Sequence, residues 1–251
     1  MLTSAQITQY QTEGFLIFPR FLSAKKLGKY LPILEHIVDE GRTLTEPKPH
    51  WSLEVTEDRQ PVAGQVHKVQ GVCVVEPRLL DLAKEEPLLG SITSLLGRNL
   101  DVFGTKFFPK LPPSGTSVGW HQDNYYFGTN QEKIVSCAIY MQDTDRANGC
   151  LRVIPKSHQS QNIRQHQPMT NGQSQHTKVD ETKSIDVEVP AGTAIIFSPN
   201  LLHGTYKNCS PRSRYSVIWH YIPNDFSLTR FPKSGEGDRH AISRFQRLFF
   251  K

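Results

Sequence analysis

The stretch RYSVIWHYI, residues 214–222, decides the fold class. Large apolar side chains at the odd positions alternate with Arg214, Ser216, Ile218 and His220, and this period of two is typical of a β-strand with unlike faces. An arginine on an inward face costs free energy unless an opposite charge meets it. The stretch therefore predicts a sheet with one apolar face and one face that carries polar chemistry.

Short runs of the same β-rich texture occupy most of the chain from residue 100 onward. Turn sequences with glycine or proline, such as PAG at 190–192, separate them. This rhythm predicts a β-sandwich or barrel with Greek-key connections. The runs are LDVFGTKFFP (100–109), IVSCAIYMQD (134–143), CLRVIP (150–155), SIDVEV (184–189) and TAIIFS (193–198).

The first part of the chain predicts helices that flank the barrel. Residues 3–13 form a first helix, capped by Thr3 or Ser4 and ended by Gly14, and FLIFPRF then predicts a short strand. A second helix follows Ser23, where apolar residues recur every three to four positions up to Gly41. Pro32 inside it predicts a kink or a late start. Residues 78–97 predict two further short helical stretches.

Two long polar segments interrupt these elements. Residues 42–65 contain three prolines and a glycine, and predict a lid loop or partial disorder. Residues 157–184 are rich in glutamine, serine and histidine, and predict a second mobile loop over one end of the barrel. The expected organisation is a single domain over 1–251. It comprises a helical N-terminal support with the lid loop (1–99), a β core (100–222) and a C-terminal extension (223–251).

Composition excludes several classes of function. The chain has 251 residues, of which 37% are hydrophobic, so a sizeable core is expected. The net charge of +5 is dispersed, which argues against a nucleic-acid partner. No apolar run approaches the roughly 18 residues of a membrane helix. Neither a signal peptide nor a CxxC pair is visible, which favours reduced thiols and a cytoplasmic location.

Two histidines and an aspartate predict a metal centre. His121 and Asp123, in WHQDNYYF, are two apart and would share one face of a strand. His203 follows the strand TAIIFS, and Gly204 after it allows a close backbone approach. Two imidazoles and one carboxylate form the facial triad of non-haem Fe(II) oxygenases. A zinc hydrolase is an alternative, although it leaves the inward arginine unexplained.

Arg214 and Ser216 predict which kind of co-substrate this centre binds. A guanidinium fork with a hydroxyl two residues on suits a carboxylate bound through two hydrogen bonds. A dicarboxylic co-substrate would chelate the metal at one end and pair with Arg214 at the other. Arg212 has the same strand parity and is the competing candidate.

The pattern as a whole resembles the phytanoyl-CoA dioxygenase family of Fe(II)- and 2-oxoglutarate-dependent oxygenases. The resemblance covers most of residues 5–222. It rests on blocks in the family's order: FLSAKKL, VHKVQ, GRNLDVFGTKFFPK, WHQDNYYF, NGCLRVIPKSH and GTAIIFSPNLLHGT, with an arginine eleven residues after the distal histidine. It implies a double-stranded β-helix, a cupin-like jelly-roll core, with flanking helices. It also implies a dioxygenase that uses O2 and releases succinate and CO2.

The resemblance implies a role for each matching residue. His121, Asp123 and His203 would bind Fe(II), and Arg214 with Ser216 would hold the far carboxylate of 2-oxoglutarate. Lys68 in VHKVQ and Thr205 would be further co-substrate contacts. At Lys106 and Ile139 the sequence departs from the family pattern, where a relative has an apolar residue and a tryptophan. Both departures imply a rebuilt pocket wall. The residues expected to line the substrate pocket are Trp51, Tyr125, Tyr126 and Phe127.

The substrate and the outcome of the reaction stay open at this point. Hydroxylation of a small molecule in specialised metabolism is the first expectation. Desaturation, ring formation or epimerisation at the same centre is the alternative, and a non-catalytic ligand-binding relative is a second one. We expect a monomer or weak homo-oligomer that acts on neither nucleic acid nor membrane.

Overall fold

The computed structural model describes residues 1–112, 115–160, 162–170, 174–231 and 237–245. Its α-helices flank a β core, and short 3-10 helices connect some of the strands. The α-helices are α1 (Ser4–Glu13), α2 (Ala24–Arg42), α3 (Val72–Val75), α4 (Leu88–Leu96) and α5 (Asp123–Phe127). The 3-10 helices are Pro77–Lys84, Ser157–Gln159 and Glu181–Lys183.

The strands form an antiparallel core that the β-rich runs of the sequence predicted. In the first half of the chain they are β1 (Phe15–Phe18), β2 (Trp51–Val55), β3 (Pro61–Gln70), β4 (Leu100–Lys110), β5 (Val118–His121), β6 (Val135–Tyr140) and β7 (Leu151–Val153). In the second half they are β8 (Gln167–Pro168), β9 (Gln175–His176), β10 (Ile185–Val187), β11 (Thr193–Phe197), β12 (His203–Thr205), β13 (Arg214–Pro223) and β14 (Arg239–Ser243).

Two sheets make up the barrel. The large sheet has the order β1-β11-β6-β13-β4-β3-β2, and β14 pairs with β4 beside this path. The small sheet has the order β10-β7-β12-β5. Apart from the consecutive strands β2, β3 and β4, neighbours in these two sheets are not consecutive in the chain, as Greek-key connections require. The predicted double-stranded β-helix with flanking helices is confirmed.

The large sheet separates an outer core from the interior of the barrel. On β13, Val217 and Trp219 belong to the outer core, where they pack with residues of α2 such as Tyr30 and Leu34. Side chains on the opposite face of the large sheet, such as Tyr140 on β6, pack in a second apolar cluster inside the barrel. Because the apolar side chains of β13 are held by the helices, its polar side chains must point into the barrel. This predicted split of the two faces is confirmed.

The N-terminal elements begin at the predicted residues. Thr3 caps α1 in a capping box with Gln6, and Gly14 ends it with a positive φ of 90°. Ser23 caps α2, which begins at once and contains Pro32, so the expectation of a late start is wrong. The helix also continues through Gly41 to Arg42.

Residues 42–65 differ from the prediction. In place of a lid loop or disorder, β2 and β3 form a hairpin that extends the large sheet next to β4. The polar residues at 56–60 form the turn of this hairpin, where Thr56 and Gln60 exchange hydrogen bonds, and Pro61 begins β3. A tight turn between two strands has the same composition as a mobile loop, and for that reason the sequence was misread.

The C-terminal residues are attached to the sheet by charge as well as by strand pairing. Asp101 on β4 is fully buried and accepts from Arg239 Nε at 2.9 Å, while Arg244 also contacts its carboxylate. This buried contact holds β14 against β4. Among the described residues, no helix combines the length and apolar character needed to cross a bilayer.

Gly41 allows α2 to pack closely on the hairpin, and a substitution tests this contact. A Cβ at Gly41 would lie 2.1 Å from Val66 Cγ2, whereas one at Gly28 on the same helix would meet nothing within 4 Å. We expect Gly41→Ala to lower the free energy of unfolding by about 1–3 kcal/mol, because helix and hairpin must separate.

The matched control is Gly28→Ala, measured by urea denaturation alongside it. That change is expected to raise the free energy of unfolding by up to about 1 kcal/mol, since alanine favours the helix. Equal effects of the two substitutions would contradict the close packing at Gly41.

Candidate active site

Three side chains of the predicted metal centre meet at one end of the small sheet. His203 begins β12 and pairs in register with His121, the last residue of β5. The sequence predicted that Asp123 continues the strand of His121, but Asp123 is the first residue of α5. Its carboxylate nevertheless faces both imidazoles. A Cβ at Gly204 would lie 2.9 Å from the Val118 carbonyl oxygen, so β12 approaches β5 this closely only with glycine there.

The two imidazoles are held with the same ring nitrogen free. His121 Nδ1 donates to the Gly119 carbonyl at 2.8 Å, and His203 Nδ1 donates to the Leu201 carbonyl at 2.9 Å. Because a carbonyl oxygen only accepts, each Nδ1 carries a hydrogen and each Nε2 presents a lone pair. The Nε2 atoms lie 3.6 and 3.8 Å from Asp123 Oδ1.

This geometry fits an Fe(II) ion. One ligand atom from each of His121, Asp123 and His203 lies within 4.8 Å of the other two. Burial lowers the pKa of His203 to about 4, so its imidazole is neutral and free to bind a metal near pH 7. Burial alone would raise the pKa of Asp123, but its interactions with His203, His220 and His121, together with the charge of Lys106, hold that pKa well below its usual range. Two neutral imidazoles and one carboxylate are the donors of the facial triad.

A chain of hydrogen bonds supports the carboxylate from behind. Ser136 Oγ donates to Asp123 Oδ2 at 2.6 Å, His220 Nδ1 donates to Ser136 Oγ at 2.9 Å, and Lys106 Nζ donates to His220 Nε2 at 3.2 Å. This direction requires a neutral His220, and burial followed by the charge of Lys106 lowers its pKa to about 3. The chain runs across β6, β13 and β4 and fixes which oxygen of Asp123 faces the imidazoles.

A cavity between the two sheets, here named the inner cavity, joins the triad to Arg214. Its wall includes the three triad residues at one end and Arg214 with Ser216 at the other. The Arg214 side chain is 1% exposed. Its Nη1 donates to Ser216 Oγ at 2.6 Å and its Nη2 donates to the Gly149 carbonyl at 2.9 Å. Thr205 also lines this cavity.

The guanidinium of Arg214 has no acidic partner among the described residues. Its Nε lacks a hydrogen-bond acceptor there, and its neighbours are neutral or cationic. Arg212, the competing candidate, instead pairs with Asp145 at the half-exposed surface. Lys110 lies beside Arg214 and donates to the carbonyls of Thr116 and Tyr206. Two buried basic side chains thus line the inner cavity, and the Nε of Arg214 has no acceptor among the described residues.

A second cavity, here named the outer cavity, adjoins the triad on the His121 side. Tyr126 and Phe127 contribute to its wall, and their contact with a substrate stays a prediction. Lys68 also lies in this wall, and its contact with the co-substrate stays a prediction. The residues common to both cavities are Lys106, Phe108, Val118 and His121.

Part of the segment 157–184 covers the junction of β5 and α5. The backbone of Gln122 donates to His166 Nε2 at 3.1 Å, and the side chain of Gln122 accepts from the backbone of Arg164 at 2.9 Å. Tyr125 stacks on His166 with ring centroids 4.0 Å apart, so it faces this segment. The segment lies where a cover for the metal site was expected, and its mobility stays a prediction.

Besides Tyr125, which lines neither cavity, two further residues assigned to the pocket wall lie elsewhere. Trp51 is 7% exposed and belongs to the outer core, where the Lys48 ammonium lies 4.1 Å above its ring. Ile139 is also in the outer core, because its parity on β6 points it toward the helices. The prediction of a rebuilt wall therefore holds for Lys106, which lines both cavities, and is wrong for Ile139.

Comparison of the sequence with known families supports the iron site that the geometry indicates. The profile described as Phytanoyl-CoA dioxygenase (PhyH) matches residues 10–216. The chain belongs to the phytanoyl-CoA dioxygenase family. It is therefore an Fe(II)- and 2-oxoglutarate-dependent dioxygenase, as the sequence predicted.

Individual relatives of this family are distant from the chain. A probable alpha-ketoglutarate-dependent hypophosphite dioxygenase of Stutzerimonas stutzeri is 22% identical over 253 residues, which cover 97% of this chain and 87% of the relative. Two solved structures share the fold. EctD from S. alaskensis, with 2-oxoglutarate and 5-hydroxyectoine, has a TM-score of 0.74 at 19% identity, covering 90% of this chain and 78% of EctD. The carbocyclase SnoK from nogalamycin biosynthesis has a TM-score of 0.72 at 18% identity, covering 94% and 89%.

Ser136 and Lys110 are site residues that sequence reasoning missed. Ser136 lies inside an apolar strand, and a serine there gives no sign of a carboxylate partner. His220 shared the inward face of Arg214 in the alternation, which was a usable signal for a place near the site. Lys110 is the last residue of the apolar β4, and a lysine at a strand end is normally solvated.

Removal of the Ser136 hydroxyl tests whether its hydrogen bond to Asp123 strengthens metal binding. Without its hydrogen bond, the Asp123 carboxylate is free to rotate away from the imidazoles. We expect Ser136→Ala to weaken Fe(II) binding by about 10–100-fold, measured by titration calorimetry under argon.

Ser91→Ala is the matched control, because Ser91 is equally buried but bonds only the Pro87 carbonyl within α4. Its Fe(II) affinity should equal that of the unchanged protein, whereas Asp123→Ala should lose tight binding. An unchanged affinity in Ser136→Ala would show that the hydrogen-bond chain does not orient the ligand.

Proposed function

We propose that this protein oxidises a C–H bond of a small molecule, by hydroxylation, while 2-oxoglutarate is converted to succinate and CO2. His121, Asp123 and His203 bind Fe(II), and Arg214 with Ser216 binds the far carboxylate of 2-oxoglutarate. The observation that carries this assignment is the buried guanidinium of Arg214, which lacks an acidic partner among the described residues.

An unpaired buried arginine is costly to the folded protein. Removing a guanidinium from water is unfavourable unless a carboxylate neutralises it. Arg214 lies at the opposite end of the inner cavity from the triad, with a hydroxyl at its Nη1. A dicarboxylate spanning the cavity would supply the missing charge at one end and metal ligands at the other. Thr205 lines the same cavity and is assigned to the co-substrate as well.

The residues of the site position and protect the reactants. Bound Fe(II) supplies the oxidative chemistry with O2 and 2-oxoglutarate. Asp123 contributes the one negative charge of the ligand set, and Ser136 fixes its direction. Arg214 and Ser216 hold the co-substrate in one orientation, so that it approaches the triad by the same end each time. Tyr126 and Phe127, together with the segment over α5, limit the access of water from the outer cavity.

The outer cavity is assigned to the substrate. It adjoins His121, and aromatic rings form part of its wall, which suits a small molecule with apolar surface. The relatives also support a small substrate, since they include a probable alpha-ketoglutarate-dependent hypophosphite dioxygenase and EctD, which was crystallised with 5-hydroxyectoine. A role in specialised metabolism is part of the proposal.

Replacement of Arg214 tests the assignment of the co-substrate. We expect Arg214→Ala to weaken 2-oxoglutarate binding by about 30-fold or more, because the far carboxylate loses a buried charge-assisted pair. Binding is measured by calorimetry on Fe(II)-loaded protein under argon, and Fe(II) affinity itself should not change.

Arg212→Ala is the matched control, since that arginine pairs with Asp145 at the surface. Its affinity for 2-oxoglutarate should stay within about twofold of the unchanged protein. A large loss in Arg212→Ala with none in Arg214→Ala would reverse the assignment of the two arginines.

Turnover provides the direct test of the function. The protein is incubated with Fe(II), 2-oxoglutarate, O2 and a collection of small metabolites, and succinate is measured with Asp123→Ala as the inactive control. We expect a substrate to raise succinate release well above the level without it, with one added oxygen atom in the product. A product that has lost two hydrogens instead would replace hydroxylation by desaturation or ring formation.

A further inference from the structure

We propose that His67 binds a hydroxyl group of the substrate in the outer cavity, and that Glu54 is the residue that positions His67. This inference rests on the proposed function, because it names a substrate contact in the cavity assigned to the substrate. It comes from a buried imidazole and a buried carboxylate that belong neither to the metal triad nor to the wall of the inner cavity.

A β-bulge turns His67 toward the outer cavity. The partners of the consecutive residues Ser52 and Leu53 on β2 are Lys68 and Val66 on β3. His67 lies between those two partners and is therefore the extra residue of a bulge. Consecutive side chains of a regular strand point to opposite faces, but here His67 and Lys68 both line the outer cavity. Bulges re-aim side chains in this way and are frequent beside active sites.

Glu54 and Thr116 hold the ring of His67 through its Nδ1. That nitrogen lies 3.3 Å from Glu54 Oε1 and 3.3 Å from Thr116 Oγ1. Thr116 in turn donates to the Glu54 carboxylate from its backbone N–H, at 3.0 Å, and from its hydroxyl. Burial alone would raise the pKa of Glu54, but its contacts with His67 and Thr116 outweigh burial and lower that pKa. The carboxylate is therefore ionised near pH 7.

This arrangement leaves the other ring nitrogen of His67 for a ligand. An ionised carboxylate only accepts, and the Thr116 hydroxyl already donates to it, so His67 Nδ1 carries a hydrogen. His67 Nε2 has no hydrogen-bond partner among the described residues. Phe108 meets the ring edge-on, with centroids 5.9 Å apart, and restricts its rotation. Because His67 is only 7% exposed, a polar ligand in the cavity would supply the partner that Nε2 lacks.

A hydroxyl group suits Nε2 in either protonation state of the ring. A neutral imidazole with its hydrogen on Nδ1 accepts at Nε2, whereas a cationic one donates there, and a hydroxyl can do both. The rest of the wall fits such a molecule. It combines the uncharged polar side chains of Gln70 and Ser174 with the rings of Phe108 and Phe231. A hydroxylated molecule with an apolar or aromatic body matches both parts.

The same contact would orient the substrate relative to the metal. His67 and the metal ligand His121 line one cavity. A molecule bound to His67 through its hydroxyl would present the rest of its body to the metal centre in one direction. His67 would thereby influence which C–H bond is oxidised, and Glu54 would act only through His67.

Matched pairs of small molecules test the hydroxyl contact. Benzyl alcohol is compared with toluene, and 2-phenylethanol with ethylbenzene, by ligand-observed NMR. The protein is loaded with Zn(II), which has no redox chemistry. We expect the affinity of each alcohol relative to its hydrocarbon to fall about tenfold in His67→Phe, because the hydroxyl loses a hydrogen bond to a buried nitrogen. An unchanged ratio, or no detectable binding of either alcohol to the unchanged protein, would overturn the proposal.

His240→Phe is the matched control. His240 also pairs with a carboxylate, since its Nε2 lies 3.1 Å from Asp238 Oδ1, but it lines neither cavity. Its affinity ratio should stay within about twofold of that of the unchanged protein. A fall as large as that in His67→Phe would show that the loss of any such pair lowers the ratio, and would count against a contact at His67.

The unchanged protein gives a second readout, which a merely structural role of His67 would not move. Long-range 1H–15N NMR spectra distinguish the two nitrogens of a histidine ring. We expect the Nε2 resonance of His67 to shift when benzyl alcohol is added and to stay in place with toluene. An Nε2 resonance that ignores the alcohol would limit His67 to a structural role and refute the contact.

Glu54→Gln tests the positioning role. The amide keeps the shape of the side chain but lacks the charge that holds the hydrogen on His67 Nδ1. We expect the affinity ratio of alcohol to hydrocarbon to fall about threefold, less than in His67→Phe. An unchanged ratio in Glu54→Gln would refute the positioning role of Glu54.

These measurements separate the inference from the proposed function, because none of them needs Fe(II), 2-oxoglutarate or turnover. A hydroxyl contact at His67 in a protein that fails to bind 2-oxoglutarate would refute the proposed function alone. Substrate-dependent release of succinate, together with an affinity ratio that His67→Phe leaves unchanged, would refute the hydroxyl contact alone.

Discussion

The pairing of β12 with β5 is the constraint on which the site depends. It sets His203 opposite His121 in register, so that two imidazoles from distant parts of the chain share one end of the small sheet. The backbone carbonyls of Gly119 and Leu201 then determine which nitrogen of each ring is free. A shift of one residue in this register would turn His203 to the other face of the sheet and remove it from Asp123.

The large sheet contributes the second half of the site through its alternation. The helices hold the apolar residues of β13, and its polar residues consequently face the barrel. The same strand provides Arg214 for the inner cavity and His220 for the support of Asp123. The co-substrate site and the hydrogen bonds that support Asp123 thus share one rigid element, which keeps their relative positions constant.

Charge is distributed unevenly in the barrel. Asp123 is the one acidic residue in the walls of the two cavities among the described residues, whereas the basic residues there are Lys68, Lys106, Lys110 and Arg214. Such a surplus destabilises the empty protein, because buried like charges repel and lack water. The two carboxylates of 2-oxoglutarate would offset part of it. The arrangement therefore favours binding of an anionic co-substrate and lowers the stability of the protein without it.

Sequence reasoning succeeded where the signal was local and periodic. The β-rich runs, the capping of α1 and α2, and the inward direction of Arg214 all follow from the spacing of residues along the chain. It failed for residues 42–65, where the composition of a hairpin turn resembles that of a loop. It also failed for Trp51 and Ile139, which were assigned to the pocket wall but pack in the outer core.

The sequence by itself determined the donor set, the jelly-roll class and the family, because these depend on residue type, order and period. Only the tertiary structure decided that Ser136, His220 and Lys106 form one chain behind Asp123. It alone also placed Lys68 in the wall of the outer cavity. The physical reason is that hydrogen bonds across a sheet join residues whose strands are neighbours in space. Which strands become neighbours is settled by packing of the whole chain.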